Sequence, residues 1–514
     1  MVAHFTLDEL TQALAAALPA GHPHQLAQQA SPLWVGQPLP PTGDQPLSVP
    51  VVTDSRKLTP TAPPAVYLAL KGERFDGHSF IRTISQHAQA VIACQAWWQG
   101  LTPREQATVA CPVLLVADTL WAYMALGTTH RQRNPHAKVV GITGSSGKTT
   151  VTQGLQGLLS QLAPTQATIK NHNNDIGLTQ TLLSLEPTTH TLLAEMGMRG
   201  KGEIARLSVV AQPDVAVLVN IGPAHIEYLG SLEAIAQAKV EIVAGLNPET
   251  GVVVANGTDP YLRQVLPTVW QGSTHWVTPQ EVSDTPNEQG CLSFSWQGHR
   301  LVAPLPGSHA VINTLLMLEV GLALGYSAKA LAEALHQANA PQHDRWVSLP
   351  WQGDPNVTLI DDAYNANPAS MQAALNAFAL LLASQPPSTV FLVLGGMNEL
   401  GEFAQDYHVA LGQQVATFAQ SVSHPVGSVI LVDPPNLPAN EPSPLAWVAE
   451  ALPASLHVVR CASAQQAAEA LRLGFAQRTT PHAHALFKGS RSYQLEAVVA
   501  ALQAAPPPAE TVPC

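Results

Sequence analysis

Paired cysteines are missing from this 514-residue chain. Its five cysteines (Cys94, Cys111, Cys291, Cys461 and Cys514) are scattered, odd in number and never in a CxxC pair. That argues against both a disulfide framework and a zinc site, and suits a reducing cytoplasm. Positive charge is scarce as well. With 24 basic against 36 acidic side chains the net charge is −12, which disfavours bulk attraction to nucleic acid or an anionic membrane. Charged residues make up only 12% of the chain, while the apolar share of 46% is ordinary for a soluble enzyme. No apolar run approaches the roughly 20 residues needed to span a bilayer. The N-terminus, MVAHFTLDELTQAL, carries acids early and no basic-then-apolar run, so no secretory signal is expected there. The expectation is a soluble, cytoplasmic protein with neither nucleic acid nor membrane as partner.

What is present organises into three blocks. In the first, Thr6 and Glu9 have capping-box spacing ahead of an amphipathic helix. Short apolar runs at Val49–Val52, Val66–Leu70, Ala90–Ala93 and Val113–Val116 read as strands. Pro50 suits only an edge strand or a strand start. The passage GQPLPPTGDQPLS reads as an irregular surface loop. The second block starts near DTLWAYMALGTTHRQRNP and alternates strands (Lys138–Ile142, Leu192–Met196, Val215–Val219, Val252–Ala255) with longer helical patterns. The third repeats that alternation through Thr358–Ile360, Val390–Leu394, Val429–Val432 and Ala485–Phe487, with a Pro-rich loop at DPPNLPANEPSPL and a frayed tail at AAPPPAETVPC. The predicted fold is α/β in three domains, at 1–116, 117–340 and 341–514.

The segment VVGITGSSGKTTVTQGL has the context of a phosphate-binding loop: an apolar strand ends at Ile142 and helix-forming sequence begins at Thr149. Backbone N–H groups and a helix N-terminus there would face a phosphate with unsatisfied partial positive charge. Gly144 and Gly147 allow close approach, Lys148 supplies a point charge, and the Thr149 hydroxyl is a hard oxygen for Mg²⁺. The spacing nevertheless departs from a standard P-loop, because Ile142 stands where that pattern has its first glycine.

Other polar residues fall at predicted strand ends, the edge where open α/β sheets place ligands. Glu195 suits a metal position or is a solvated strand-end acid. His225, after a Gly-Pro turn, is a ligand or a plain exposed histidine. Lys239, within a helix, reads by itself as a solvated lysine. In the third block Arg345 can reach a phosphate. Asp361 and Asp362 can accept a ribose hydroxyl or cap a helix. Lys488 and Arg491 beside a Gly-Ser turn can hold a carboxylate or form a solvated basic loop.

Taken together, the stretches TDSRKL, LKGERFDGHSF, GITGSSGKTT, NHNNDIGLTQTLL, EMGMRGKGEI, NIGPAHIEYLGSLEAIAQAKVEI, DDAYNANPASMQAAL, VLGGMNELG and KGSR resemble the Mur ligase family of ATP-dependent amide-bond-forming enzymes, whose phosphate loop is GTxGKTT-like. DDAYNANP and MNELG are the specific part, and they resemble the branch that joins D-alanyl-D-alanine to UDP-N-acetylmuramoyl-tripeptide. The resemblance implies a small α/β N-terminal domain for the UDP-sugar, a central P-loop-type ATPase domain and a C-terminal Rossmann-like ligase domain. It implies ATP and Mg²⁺ as cofactors, and a monomer. ATP would meet Gly144, Ser145, Ser146, Gly147, Lys148, Thr149 and Thr150, with Asn313 near adenine and Arg345 and Asp362 as further nucleotide contacts. Metal would meet Thr149, Glu195, His225 and Lys239, the last matching a family lysine that can be carbamylated. Lys148, Glu195, His225 and Lys239 would carry catalysis. Substrate would meet Ser55, Arg56, Lys71, Asp76, Gly77 and His78, and also Asn365, Lys488 and Arg491.

Two positions depart from the family pattern. Ala310 replaces an asparagine of HNxxN, and Gly396 replaces the acid of LGDM. The alternatives are another Mur-type ligase or a folylpolyglutamate synthase. The DNPR motif of the diaminopimelate-adding relatives is absent. A P-loop motor or regulatory nucleotide-binding module would leave the first block and DDAYNANP without a task.

Overall fold

The computed structural model describes residues 3–15, 32–38, 48–72, 75–169, 171–283, 285–287, 289–338, 346–437 and 442–504. Arg345, most of GQPLPPTGDQPLS, part of DPPNLPANEPSPL and the tail from 505 lie outside the described residues.

The N-terminal capping box forms. Glu9 N–H donates to Thr6 Oγ1 (3.1 Å) and Thr6 N–H donates to the Glu9 carboxylate (2.7 Å), starting the helix Leu7–Ala15. The first sheet runs, in spatial order, His4–Phe5, Val49–Val52, Val66–Leu68, Ala90–Cys94, Pro112–Val116 and Leu33–Gly36. Pro50 is therefore not on the edge. It lies at the strand's start and faces His4 of the two-residue outer strand, while Val51 and Val52 carry the pairing to Val66 and Tyr67.

The central sheet is wholly parallel, in the order Ser273–Val277, Val252–Asn256, Val215–Leu218, Lys138–Thr143, Thr191–Glu195 and Thr165–Ala167. Its central strands are nearly continuous runs of buried β-branched and small residues, as helices on both faces require. The third sheet runs Val347–Trp351, Asp354–Asp361, His482–Lys488, Ser388–Leu394, Val426–Val432 and Val458–Cys461, parallel except for the first. Apolar patterning marks neither the edge strands His4–Phe5, Leu33–Gly36, Thr165–Ala167, Ser273–Val277, Val347–Trp351 and Val458–Cys461 nor the hairpin Ser293–Trp296/His299–Val302. That hairpin turns on Gln297 and Gly298, both at positive φ, the two-residue geometry that matches strand twist.

The helix Thr119–Arg133 joins the first two sheets, and its residues enter both cores. Ala122, Tyr123 and Leu126 pack with Val66 and Ile92 of the first sheet, Trp121 and Met124 with Val139 and Leu192 of the second. Its burial on two sides explains why it shows little amphipathic pattern. No helix among the described residues is long and apolar enough to cross a membrane.

Candidate functional site

The C-terminal ends of the central and third sheets face one cleft of about 830 Å³. The phosphate loop enters it from the strand Lys138–Thr143. Gly147 stands at φ 78° as the N-cap of the helix Lys148–Leu159, a left-handed conformation that glycine adopts without a Cβ penalty. The turn after the strand Val215–Leu218 fixes the loop's shape. Ser145 Oγ donates to Gly222 O (2.9 Å) and accepts from Gly222 N–H (2.8 Å), and Ser146 N–H donates to Asn220 Oδ1 (3.0 Å). The loop is thus shaped by its own neighbours. Lys148 Nζ donates to Gly144 O (2.9 Å), closing the loop on itself. Asn313 packs beside Gly147, its amide 3.4 Å from where a Cβ would stand.

Thr149 Oγ1 donates to Glu195 Oε2 (3.0 Å), and Asn173 Nδ2 donates to Glu195 Oε1 (2.9 Å). Glu195 is buried, not a solvated strand-end acid. Among the described residues no cluster of three or more His, Cys, Asp or Glu side chains forms a ready metal cage. A hydroxyl and a carboxylate beside a phosphate loop instead suit Mg²⁺, which prefers hard oxygens and completes its shell with phosphate oxygens and water. Asn173 and Asn220 were missed by sequence reasoning. The signal was their place within the stretches NHNND and VLVN, beside the phosphate loop and at a strand end.

Lys239 corrects an expectation. It sits in the helix Leu232–Val240 and is only 2% exposed, so it is not a solvated lysine. Burial pushes its amine well below the ordinary lysine range, and the Lys148 cation nearby adds to the effect. His225 caps the short helix Ile226–Leu229 at φ 64°, in the left-handed region. Its Nδ1 lies 2.5 Å from Glu399 Oε2, which belongs to the third sheet's side of the cleft. The contact is close but out of line for an ideal hydrogen bond. Beside His225, the Glu399 carboxyl is held below its usual range.

From the third sheet come Asp362, Asn365, Lys488 and Arg491. Asp362 caps no helix: Asn367 caps Pro368–Leu382, and Asp361 accepts from Ala363 N–H. Lys488 is buried, paired with Asp362 (2.9 Å), and donates to the carbonyls of Asp362 and Asn365. Its three protons are thus directed at the chain itself. Arg491 is exposed, its guanidinium 5.2 Å from the centre of the Tyr364 ring, and it lines the cleft.

The first-sheet residues do not join this cleft. Arg56 extends into solvent and pairs with Asp54. Asp76 accepts from His78 N–H (3.0 Å) and contacts His78 Nδ1 (2.6 Å), and buried His78 Nε2 accepts from Cys94 N–H (2.9 Å). Lys71 bridges Asp76 through the backbone, Gly77 is buried against Leu70 and Tyr67, and Ser55 opens the 3₁₀ turn Ser55–Lys57.

Two family models match the chain, the Mur ligase middle domain over residues 142–321 and the Mur ligase, glutamate ligase domain over residues 349–491. The chain is 33% identical over 468 residues to the UDP-N-acetylmuramoyl-tripeptide–D-alanyl-D-alanine ligase of Synechocystis sp., covering 89% of this chain and 92% of that protein. The chain belongs to the Mur ligase family. The Escherichia coli ligase of the same name is 35% identical over 71% of this chain and 78% of that protein. The crystal structure of MurF from Acinetobacter baumannii superposes with a TM-score of 0.76 at 28% identity, covering 98% of this chain and 99% of that one. The MurF ligase of Thermotoga maritima in complex with ADP superposes at 0.71 and 26% identity, over 88% of this chain and 96% of that one.

As a Mur ligase, this chain has physical reasons for its two departures. At Gly396 any Cβ would collide with the Tyr493 hydroxyl and approach His408 Nε2, so an acid does not fit there. Ala310 is buried in the apolar cluster with Val311 and Leu315, where an asparagine would need polar partners.

Proposed function

We propose that this Mur ligase joins D-alanyl-D-alanine to UDP-N-acetylmuramoyl-tripeptide with conversion of ATP to ADP and phosphate, in peptidoglycan precursor synthesis. The observation that carries the reading is the single cleft uniting the GSSGKTT loop, Glu195 and His225 with the DDAYNANP and MNELG turns of the third sheet.

In this reading residues 1–116 hold the UDP-sugar, 117–340 bind ATP and 341–514 bring the dipeptide. The substrate carboxylate attacks the γ-phosphorus, ADP departs, and an acyl phosphate forms. The dipeptide amine then attacks the acyl carbon, the amine proton leaves, and phosphate is expelled from the tetrahedral intermediate. Positioning and charge supply most of the catalysis in such transfers. Lys148 turns from Gly144 O to the phosphates, where its charge stabilises the transferring group. Thr149 and Glu195 would hold Mg²⁺, which neutralises phosphate charge, with His225 serving a second ion. Asn313, Arg345 and Asp362 orient the nucleotide, and Asn365 and Arg491 the dipeptide.

Lys239, a buried amine disfavoured as a cation, is suited to take up CO₂ as a carbamate with loss of a proton, which reverses its charge beside the metal site. Closure of the third unit over the cleft excludes water from the acyl phosphate. The enzyme is read as a cytoplasmic monomer. The test is ADP release with each substrate omitted in turn. Ligation-coupled release that needs both UDP-tripeptide and D-alanyl-D-alanine is expected; ADP release at the full rate without either would contradict it.

A further inference from the structure

MNELG is the motif whose glutamate has no assigned task. It forms the turn after the strand Ser388–Leu394, and its own side anchors it firmly. Met397 N–H donates to His408 Nε2 (3.1 Å), Asn398 N–H donates to Ser490 Oγ (3.1 Å), and Asn398 Nδ2 donates to Ser492 Oγ (2.7 Å). From that anchored turn Glu399 reaches across the cleft to His225, 2.5 Å away. The backbones meet at the same place. Glu227 N–H donates to Glu399 O (3.3 Å), and a Cβ on Gly401 would lie 3.0 Å from Glu227 Cγ.

Both partners of this contact are non-glycine residues in the left-handed region, His225 at φ 64° and Glu399 at φ 59°. Such conformations persist where the surroundings over-determine them, and they cluster at functional sites. The pair is partly open to water, with side-chain exposures of 26% and 33%, so an isolated charge contact would contribute little. The backbone bond and the Gly401 contact make the seam more than that contact. A carboxylate against one imidazole nitrogen fixes the ring and leaves the other nitrogen as the working one.

We infer that Glu399 is a positioning residue: from the third unit it holds the His225 ring through Nδ1, leaving Nε2 for the cleft, so that docking of the third unit and completion of the catalytic site are one event. The inference rests on the proposed function only in taking His225 as a working residue of the cleft.

The test compares His225→Ala, Glu399→Ala and Glu399→Gln by steady-state kinetics, and by hydrogen exchange on the ligand-free proteins. His225→Ala and Glu399→Ala both lower kcat, the second by about 10- to 100-fold, as loss of such outer partners does. KM for the UDP-tripeptide stays unchanged. Glu399→Gln keeps an acceptor oxygen and recovers most of kcat. Without ligands, Glu399→Ala exchanges faster over residues 223–230 and as wild type over the first sheet. If alanine lowers the melting temperature of the whole chain, Glu399→Lys gives the same readout with a long side chain and reversed charge. Wild-type kcat in Glu399→Ala beside an impaired His225→Ala overturns the inference alone, as does unchanged exchange over 223–230. A fully active His225→Ala overturns the reading of His225 itself.

Discussion

Asp76 with His78, beyond a strand of the first sheet, and Thr149 with Glu195, at the edge of the central one, are both short polar contacts in motif sequence. The first binds the chain to itself. His78 is buried, takes its second bond from Cys94 N–H, and ties a turn to the neighbouring strand. The second opens on the cleft, beside a loop whose N–H groups begin a helix. A motif residue is therefore assigned by what its polar atoms already satisfy. Those consumed by the fold are expected to carry stability, and those turned to the cleft to carry chemistry.

The hardest way to break this contrast is to remove charge from the cleft. Lys148→Ala is expected to lower kcat by about two to three orders of magnitude, as loss of a group that stabilises transition-state charge does. Its melting temperature should stay near wild type, because the bond from its ammonium to Gly144 O stays within its own loop. Near-normal ADP release in this variant would remove the phosphate-loop assignment.

Lys239→Ala also should lose most activity, by about tenfold or more for an outer metal partner. Because Lys239 is buried, loss alone does not separate chemistry from packing. Rescue does: short carboxylic acids should partly restore turnover by filling the vacated position, and Lys239→Arg, which keeps the positive charge, should not. Absence of any rescue, together with a lowered melting temperature, would make Lys239 a packing residue.

On the other side of the comparison, His78→Ala should act on the fold. It leaves the Cys94 N–H without its acceptor, which costs about 1–3 kcal/mol, read as a fall in melting temperature with kcat of the folded fraction retained. Arg56→Ala should leave stability near wild type, as exposed substitutions do, and raise only the KM for the UDP-tripeptide. A changed kcat in either variant would blur the division between the two regions.

A further effect is one of pH. His484 of the third sheet is buried, and burial first, then His424 and His482, brings its pKa from 6.5 to about 4. The unfolded chain takes up this proton first on acidification. The contribution to stability is therefore complete above 6.5 and is lost as pH falls from 6.5 toward 4, by up to about 1.4 kcal/mol per pH unit. Urea melts of wild type and His484→Leu at pH 7 and pH 5 check it: the variant should lose less stability on acidification. Equal losses would remove His484 as the cause.

Much of the fold was legible because its strands are uniform apolar runs. Lys138–Thr143, Val215–Leu218 and Ser388–Leu394 needed only boundary changes. The edge strand Ser273–Val277 was not, since its burial is mixed and its sequence, STHWV, alternates weakly. In the cleft, Lys148, Thr149, Glu195 and His225 were readable from motif position. What sequence could not convey is which partner consumes which atom. Nothing in the sequence pairs Lys488 with Asp362, yet the two side chains meet at 2.9 Å. Lys239 looks solvated and is buried, because its helix packs against the helices Glu203–Ala211 and Pro260–Val269. Long-range neighbours decide such matters.

The central claim is that the cleft transfers a phosphoryl group to the substrate's carboxylate, and the most direct measurement follows the oxygen. UDP-tripeptide labelled with ¹⁸O in its terminal carboxylate, turned over with ATP and D-alanyl-D-alanine, should deliver one labelled oxygen to each phosphate released, because the bridging oxygen of the acyl phosphate leaves with phosphorus. Amide product accompanied by unlabelled phosphate would contradict the account.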